Sequence, residues 1–226
     1  YIAADSFVGS GTIQANGGAG SGCGGGGGGR IAYHYNSKSF SGVILARGGS
    51  AGGVSGGAGT VFQKQNSWSE GILWIDNGSL STSAVTFLTG TISDVSDIKV
   101  RNSAVADFSS LTFSRHTDVD SATLQFSGTN AIGTLITNNI STVRFNSNTQ
   151  QSVISALFNS GTTVNHTTNT TTKAKWIDLT ATTLTLAAGS TMNETSLGYS
   201  GAKGRGVGGG GKGGSHGGRG GSSSAA

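Results

Sequence analysis

Apolar and polar residues alternate in short bursts through the centre of the chain. Val85-Thr86-Phe87, Ile98-Lys99-Val100, Leu111-Thr112-Phe113, Leu124-Gln125-Phe126, Val143-Arg144-Phe145 and Leu184-Thr185-Leu186 each run apolar, polar, apolar. That is the period-two mark of a strand with one buried face. The bursts succeed one another at steps of about 8 to 13 residues, separated by Asn, Ser, Asp and Gly, which form turns. Helix formers are scarce, and β-branched Thr, Val and Ile dominate. The bursts also recur at a longer lag of about 22 residues, from Ile98–Val100 to Leu124 and on to Val143–Phe145, which suits a coil of two or three strands.

Many short, evenly spaced strands fit a sandwich or a β-solenoid. The long lag favours the solenoid. So does Asn in the gaps, at Asn77, Asn102, Asn130, Asn138, Asn146, Asn159 and Asn169, where it suits left-handed bends and stacked side-chain ladders. The one Asn-Gly of this region, Asn77-Gly78, lies in a Ser-rich turn, not between alternating runs, so hairpin pairing is not indicated. The expected fold is all-β, a parallel β-helix, with the sandwich as the alternative. A solenoid ends in open strand edges that invite pairing with another chain, and no capping helix flanks this one. Glycine does.

The chain has 41 glycines: 20 in residues 9–59, 7 in 60–197 and 14 in 198–221. This divides it into three regions: a glycine-rich, strand-containing segment 1–63, a solenoid 64–197, and a glycine-rich segment 198–226. In the first, Gly11–Ala15, Arg30–Tyr35, Phe40–Ala46 and Ala58–Gln63 read as strands with Gly runs between them. Ordering a Gly run costs more backbone entropy than ordering any other sequence. Such runs order when packed backbone to backbone, as extended threefold helices of the polyproline II type. Neighbouring chains are the expected source of that packing.

With 33 Ser, 27 Thr and no Pro, the composition excludes coiled coils, helical bundles and collagen. No apolar run approaches the ~18 residues of a membrane-spanning helix. Net charge is +4, all of it assignable to Lys203, Arg205, Lys212 and Arg219. These are diluted in Gly without interleaved aromatics, which argues against nucleic acid and suits acidic polymers such as surface glycans. Cys23, the lone cysteine, is expected to be a small buried residue, with an intermolecular bridge as the alternative. Beginning at Tyr1 without a leader, the chain reads as a mature chain or an excerpt of a longer one.

Leu197-Gly198-Tyr199-Ser200-Gly201 and Gly213-Gly214-Ser215-His216-Gly217-Gly218-Arg219-Gly220-Gly221 resemble the opening half of a glycine-rich module of large secreted bacterial surface proteins. The strand Gly11–Gly18 and the run Gly24–Tyr35, with its Arg30-Ile31-Ala32 ending, resemble the closing half. The resemblance spans roughly 70 residues. It implies β-solenoid repeats at the cell surface, and no activity. The halves stand in permuted order, as in one period of a tandem array, or as in subunits whose C-terminal half completes the next N-terminal half. The second is a head-to-tail contact that grows an open fibre.

Enzyme chemistry is weakly supported. Gly209-Gly210-Gly211-Lys212 is followed by Gly213 where a phosphate-binding loop needs Ser or Thr. Asp118 and Asp120 share a strand face, with Asp94, Asp97, Asp107, Arg115 and His116 near in sequence. They read as solvated turns, with a carboxylate or calcium site as the weaker alternative. The four His and one Cys lack zinc spacing. Thr180-Ala181-Thr182 and Thr183-Leu184-Thr185 read as ordinary strand, Leu184 and Leu186 pointing inward; a hydroxyl ladder for ice or glycans is the alternative. Trp68 reads as exposed, and Trp74 and Trp176 as core or interface.

The sequence therefore points to a secreted or cell-surface, non-enzymatic structural protein without cofactor or metal, assembling head to tail with copies of itself. Its expected assembly residues are Gly24, Gly25, Gly26, Gly27, Gly28, Gly29, Arg30, Tyr199, Gly208, Gly209, Gly210, Gly211, His216 and Arg219. The alternatives are a repeat unit of a surface adhesin, and a β-helix that binds or cleaves polysaccharide or binds ice.

Overall fold

The computed structural model describes residues 1–169, 172, 174–195, 197 and 198. These residues are all-β, with no helix among them. In chain order the strands are β1 (Ile2–Gly9), β2 (Thr12–Gln14), β3 (Arg30–Phe40), β4 (Val43–Leu45), β5 (Thr60–Gln65), β6 (Gly71–Asp76), β7 (Thr86–Thr91) and β8 (Val95–Arg101). Then come β9 (Val105–Asp120), β10 (Thr123–Ser127), β11 (Ala131–Asn138), β12 (Thr142–Phe145), β13 (Gln151–Phe158), β14 (Thr163–His166), β15 (Leu179–Leu186) and β16 (Thr191–Met192). Fourteen form one sheet, and β2 pairs with β4 in a second. Each strand pairing is parallel except β5 with β6. A mostly parallel sheet agrees with the absence of a hairpin signal.

From β9 onward the chain feeds two ladders in turn. The first half of β9 pairs with β10, then come β12, β14 and β16. The second half pairs with β11, then come β13 and β15. Ser110, at φ 56°, turns β9 from one ladder into the other. In-register pairing stacks like on like. One column is Ala106, Leu124, Val143 and Val164, and the next is Phe108, Phe126, Phe145 and His166. The second ladder stacks Leu135, Ala156 and Leu184, and beside them Thr137, Phe158 and Leu186. Ala106, Leu124, Val143 and Val164 lie 18, 19 and 21 residues apart in sequence, close to the lag in the apolar pattern.

The two ladders share one core. Phe108, Phe126 and Phe145 are fully buried, with ring centroids 6.0 and 5.5 Å apart. Each such ring contributes roughly 1.5–3 kcal/mol by burial. Polar ladders run beside it. Asn159 donates to the Asn138 side chain (2.9 Å), which donates to Asp118 (2.9 Å). Buried Asn130 accepts from the Leu111 amide (2.7 Å) and donates to Gln151 (2.7 Å). The expected Asn ladders are therefore present. The left-handed bends fall to Ser as well as Asn, at Ser79, Ser103 and Ser121 beside Asn102 and Asn139.

Two expectations are corrected. Phe87 is 67 % exposed, because Thr86 pairs with Ala106 and Leu88 with Phe108, putting Leu88 over the core and Phe87 outside. A one-residue register change exchanges the faces of a strand. Leu184 and Leu186 do continue the core columns, yet they are 45 % and 47 % exposed, as is Met192 at 40 %. No strand succeeds them among the described residues.

Candidate functional site

Glycine-rich stretches 15–20, 24–29, 46–51 and 54–59 pack side by side as four extended segments, the first two joined by a turn at 20–24 and the last two by a turn at 51–54. Their bonds are backbone to backbone. Gly17 and Gly20 donate to the Arg47 and Ser50 carbonyls (2.9 and 2.8 Å). Gly26 and Gly29 donate to Gly18 and Ala15 (2.9 and 2.7 Å), and Gly25 and Gly28 to Val54 and Gly57 (both 3.0 Å). Gly56 and Gly59 donate to Gly49 and Ala46 (2.9 and 2.6 Å), and Gly49 to Gly26 (2.8 Å). In each of the four segment pairs that share two of these bonds, the partners repeat every third residue, the period of a polyproline II helix.

Side chains are excluded by distance. A Cβ on Gly17, Gly25, Gly28, Gly48, Gly49, Gly56 or Gly59 would lie well under 3.0 Å from a backbone oxygen of a neighbouring segment. The neighbours belong to this chain, whereas the sequence pointed to other chains. The two turns fold the runs back, and parallel strand pairs such as β3 with β5 and β2 with β4 hold the segments in place. Cys23 sits in the first turn and is exposed, contrary to expectation.

Three polar side chains anchor the bundle to the stretch that runs from the end of β6 into the start of β7. Asn77, fully buried, accepts from the Gly48 amide (2.8 Å) and donates to the Leu80 carbonyl (2.6 Å). Thr82 and Thr86 donate to the Ser55 and Ala58 carbonyls (both 2.5 Å). Ala58 itself joins the core of the two ladders. Sequence reasoning saw Asn77 as a turn residue and gave Thr82 no role. A lone Thr in a Thr-rich chain carries no signal of its own.

The outward positions differ between segments. The stretch 46–51 exposes Arg47 and Ser50. The stretch 24–29 exposes Gly24, Gly26 and Gly27, and of these Gly26 is crowded, a Cβ there lying 3.1 Å from the Gly18 nitrogen. A Cβ on Gly24 would meet its nearest atom at 3.6 Å, and one on Gly27 would meet nothing within 4 Å. Neither glycine has the positive φ that would require it. Gly18 is bare in the same way. Gly27, Gly28, Gly57, Ala84, Phe87 and the exposed Arg30 border an open groove of about 710 Å³. Gly24 to Arg30 are thus brought together in one structure. Tyr199, Gly208–Gly211, His216 and Arg219 lie outside the described residues.

The carboxylates do not converge. Asp118 pairs with Arg101 (3.3 Å) and Lys99 (3.6 Å), and Asp120 accepts from Asn139 (2.6 Å). Asp107 is buried, and burial raises its pKa against the hydrogen bond it accepts from Ser127 (2.7 Å); its other oxygen is unpartnered. No His, Cys, Asp and Glu cluster suited to a metal occurs among the described residues. The described residues contain no helix long and apolar enough to cross a membrane. Trp68 is 38 % exposed, and Trp74 is half-buried under Arg101, 4.8 Å from its ring centroid. No protein-family model matches the sequence, and no curated protein or solved structure matches it either.

Proposed function

We propose that this chain is a non-enzymatic structural protein of the cell exterior, a β-solenoid that assembles head to tail into a filament or sheath through its glycine-rich ends. The bare ridge formed by Gly24 and Gly27, the latter on the rim of an open groove, carries this reading. Glycine where alanine would fit costs roughly 0.5–1 kcal/mol of stability. A further backbone segment seated against that ridge accounts for keeping it bare. The four-segment bundle illustrates how such segments associate in this chain. A second glycine-rich tract, residues 198–221, supplies a segment of matching composition. Leu184, Leu186 and Met192, each partly exposed, add an apolar end to the ladders of the described residues.

Negative-stain electron microscopy of the intact chain beside one lacking residues 198–226 tests the proposal. Fibres from the first and single particles from the second are expected. Gly27→Val, which puts a branched side chain on the rim of the groove at a position where a Cβ meets nothing within 4 Å, should also give single particles while unfolding like the wild type. Single particles from the intact chain at high concentration would overturn assembly and leave a ligand-binding surface module as the better reading.

A further inference from the structure

Between the small sheet and the large one lies a second cleft, of about 230 Å³. It has no part in the glycine bundle's bare ridge. At ~30 Å³ per water it holds seven or eight waters, the bulk of one sugar ring and not of a chain. Tyr33, Phe40 and Trp74 supply aromatic surface, with Ile44, Val61 and Ala46 between them. Lys38, Gln63 and Asp76 supply polar groups. Flat apolar surface beside a few fixed polar groups is the usual make-up of a small-molecule site, and aromatic faces suit the C–H face of a pyranose.

The polar groups differ in how far they are already engaged. Gln63 accepts from the Tyr33 hydroxyl (2.7 Å) and donates to Tyr35 (2.8 Å). Asp76 accepts from the Gly78 amide (2.7 Å) and from Asn102 (2.8 Å). Both are held in fixed orientation and largely satisfied. Lys38 is the exception. Its ammonium reaches only the Tyr33 hydroxyl, at 3.4 Å, and lies 5.3 Å from that ring's centroid. Among the described residues it makes no ion pair. Burial lowers its pKa. The nearby cations Lys99 and Arg101 share Asp118. The cleft therefore holds one ammonium with donors to spare beside aromatic surface, while both oxygens of the Asp76 carboxylate are already taken by neutral donors.

We infer that this cleft binds a single carboxylated pyranose, a uronate unit of an acidic polysaccharide, with its carboxylate on Lys38 and its ring against Phe40 and Trp74. The inference stands apart from self-assembly, since the cleft is lined by β3 to β6 and the segments joining them.

Saturation-transfer NMR and tryptophan fluorescence with the intact chain test it, using D-glucuronate and D-glucose as probes. Glucuronate should bind, and glucose about tenfold more weakly, the difference a charge-assisted hydrogen bond supplies. Lys38→Met should reduce glucuronate to the level of glucose, and Lys38→Arg should restore most of the difference. Phe40→Leu, whose folding is checked by circular dichroism, should weaken both sugars. Equal binding of the two sugars, no binding of either up to tens of millimolar, or full glucuronate affinity in Lys38→Met would each overturn the inference.

Discussion

The glycine bundle and the stacked ladders solve the same problem by opposite means. Both are arrays of extended backbone tied across to neighbours. In the ladders, side chains do the stabilising. Phe108, Phe126 and Phe145 bury their rings between strands that approach only as closely as a sheet allows. In the bundle, the absence of side chains is the stabilising feature. Segments approach until a single methyl would strike a neighbour's carbonyl. Glycine is a poor strand residue because it buries nothing and costs entropy. Here the loss is offset by backbone hydrogen bonds and close contact that other residues would block. The ladders tolerate a range of apolar residues, whereas the positions where bundle segments touch, such as Gly17, Gly28 and Gly56, leave no room even for a methyl.

That contrast can be broken first at the bundle. Gly56→Val should abolish the packing of residues 15–59, because its side chain would overlap the Gly26 carbonyl and neither backbone can move without its neighbours. Hydrogen exchange should show loss of protection through the bundle, with β10 to β14 still protected. The same substitution at Gly27, which meets nothing within 4 Å, should leave protection unchanged. Loss of protection from both variants alike would sink the claim that contact geometry, and not glycine content, holds the bundle.

A large but more local loss is expected from Phe126→Ala. Removing the middle ring of the stack should lower stability by about 3–5 kcal/mol, read as a shift of the denaturant midpoint. Asn130→Ala should cost about 1–3 kcal/mol, since it leaves the buried Leu111 amide and the Gln151 side chain without their partner.

Smaller still is the effect of Asp107. Burial raises its folded-state pKa, so the native state holds this proton more tightly than the unfolded chain does. Its contribution is therefore most favourable below the unfolded-state pKa and declines as pH rises through the folded value. Asp107→Asn should be more stable than the wild type at pH 7, an advantage that shrinks on acidification into the carboxylate range. Denaturation at pH 7 and pH 3 would detect it; an Asn variant weaker at pH 7 would contradict the sign.

Much of the strand pattern was legible. Ile98–Val100, Leu111–Phe113, Leu124–Phe126 and Val143–Phe145 are all strands, because half-buried faces impose alternation on the sequence. β13 and β14 were less visible. Ile154, on the outer face of β13, is 60 % exposed, so apolar residues on both faces blur the period. The turn of β5 into antiparallel β6 left no signal either, as Asn66-Ser67-Trp68-Ser69-Glu70 lacks the glycine of a tight hairpin. For the candidate site, the sequence picked out Gly24 to Arg30 but not their partners. Backbone carbonyls from Ala15, Ala46 and Val54 carry no residue-specific mark.

Sequence by itself determined that this protein is built from extended chain, that glycine and apolar alternation occupy separate zones, and that the glycine runs must pack backbone on backbone. These come from local chemistry: β-branched residues, turn formers and glycine entropy act within a few positions. Tertiary structure alone decided which runs meet, that the four segments meet within one chain, and that Gly24 and Gly27 stay bare while Arg47 and Ser50 fill the corresponding outer positions. It also decided that Phe87 faces out and Leu88 in. The reason is common to all of these: they depend on register between segments 18 to 30 residues apart, as in Tyr33 with Gln63 or Ala106 with Leu124. Register is set by the fit of both partners at once, not by either one's composition.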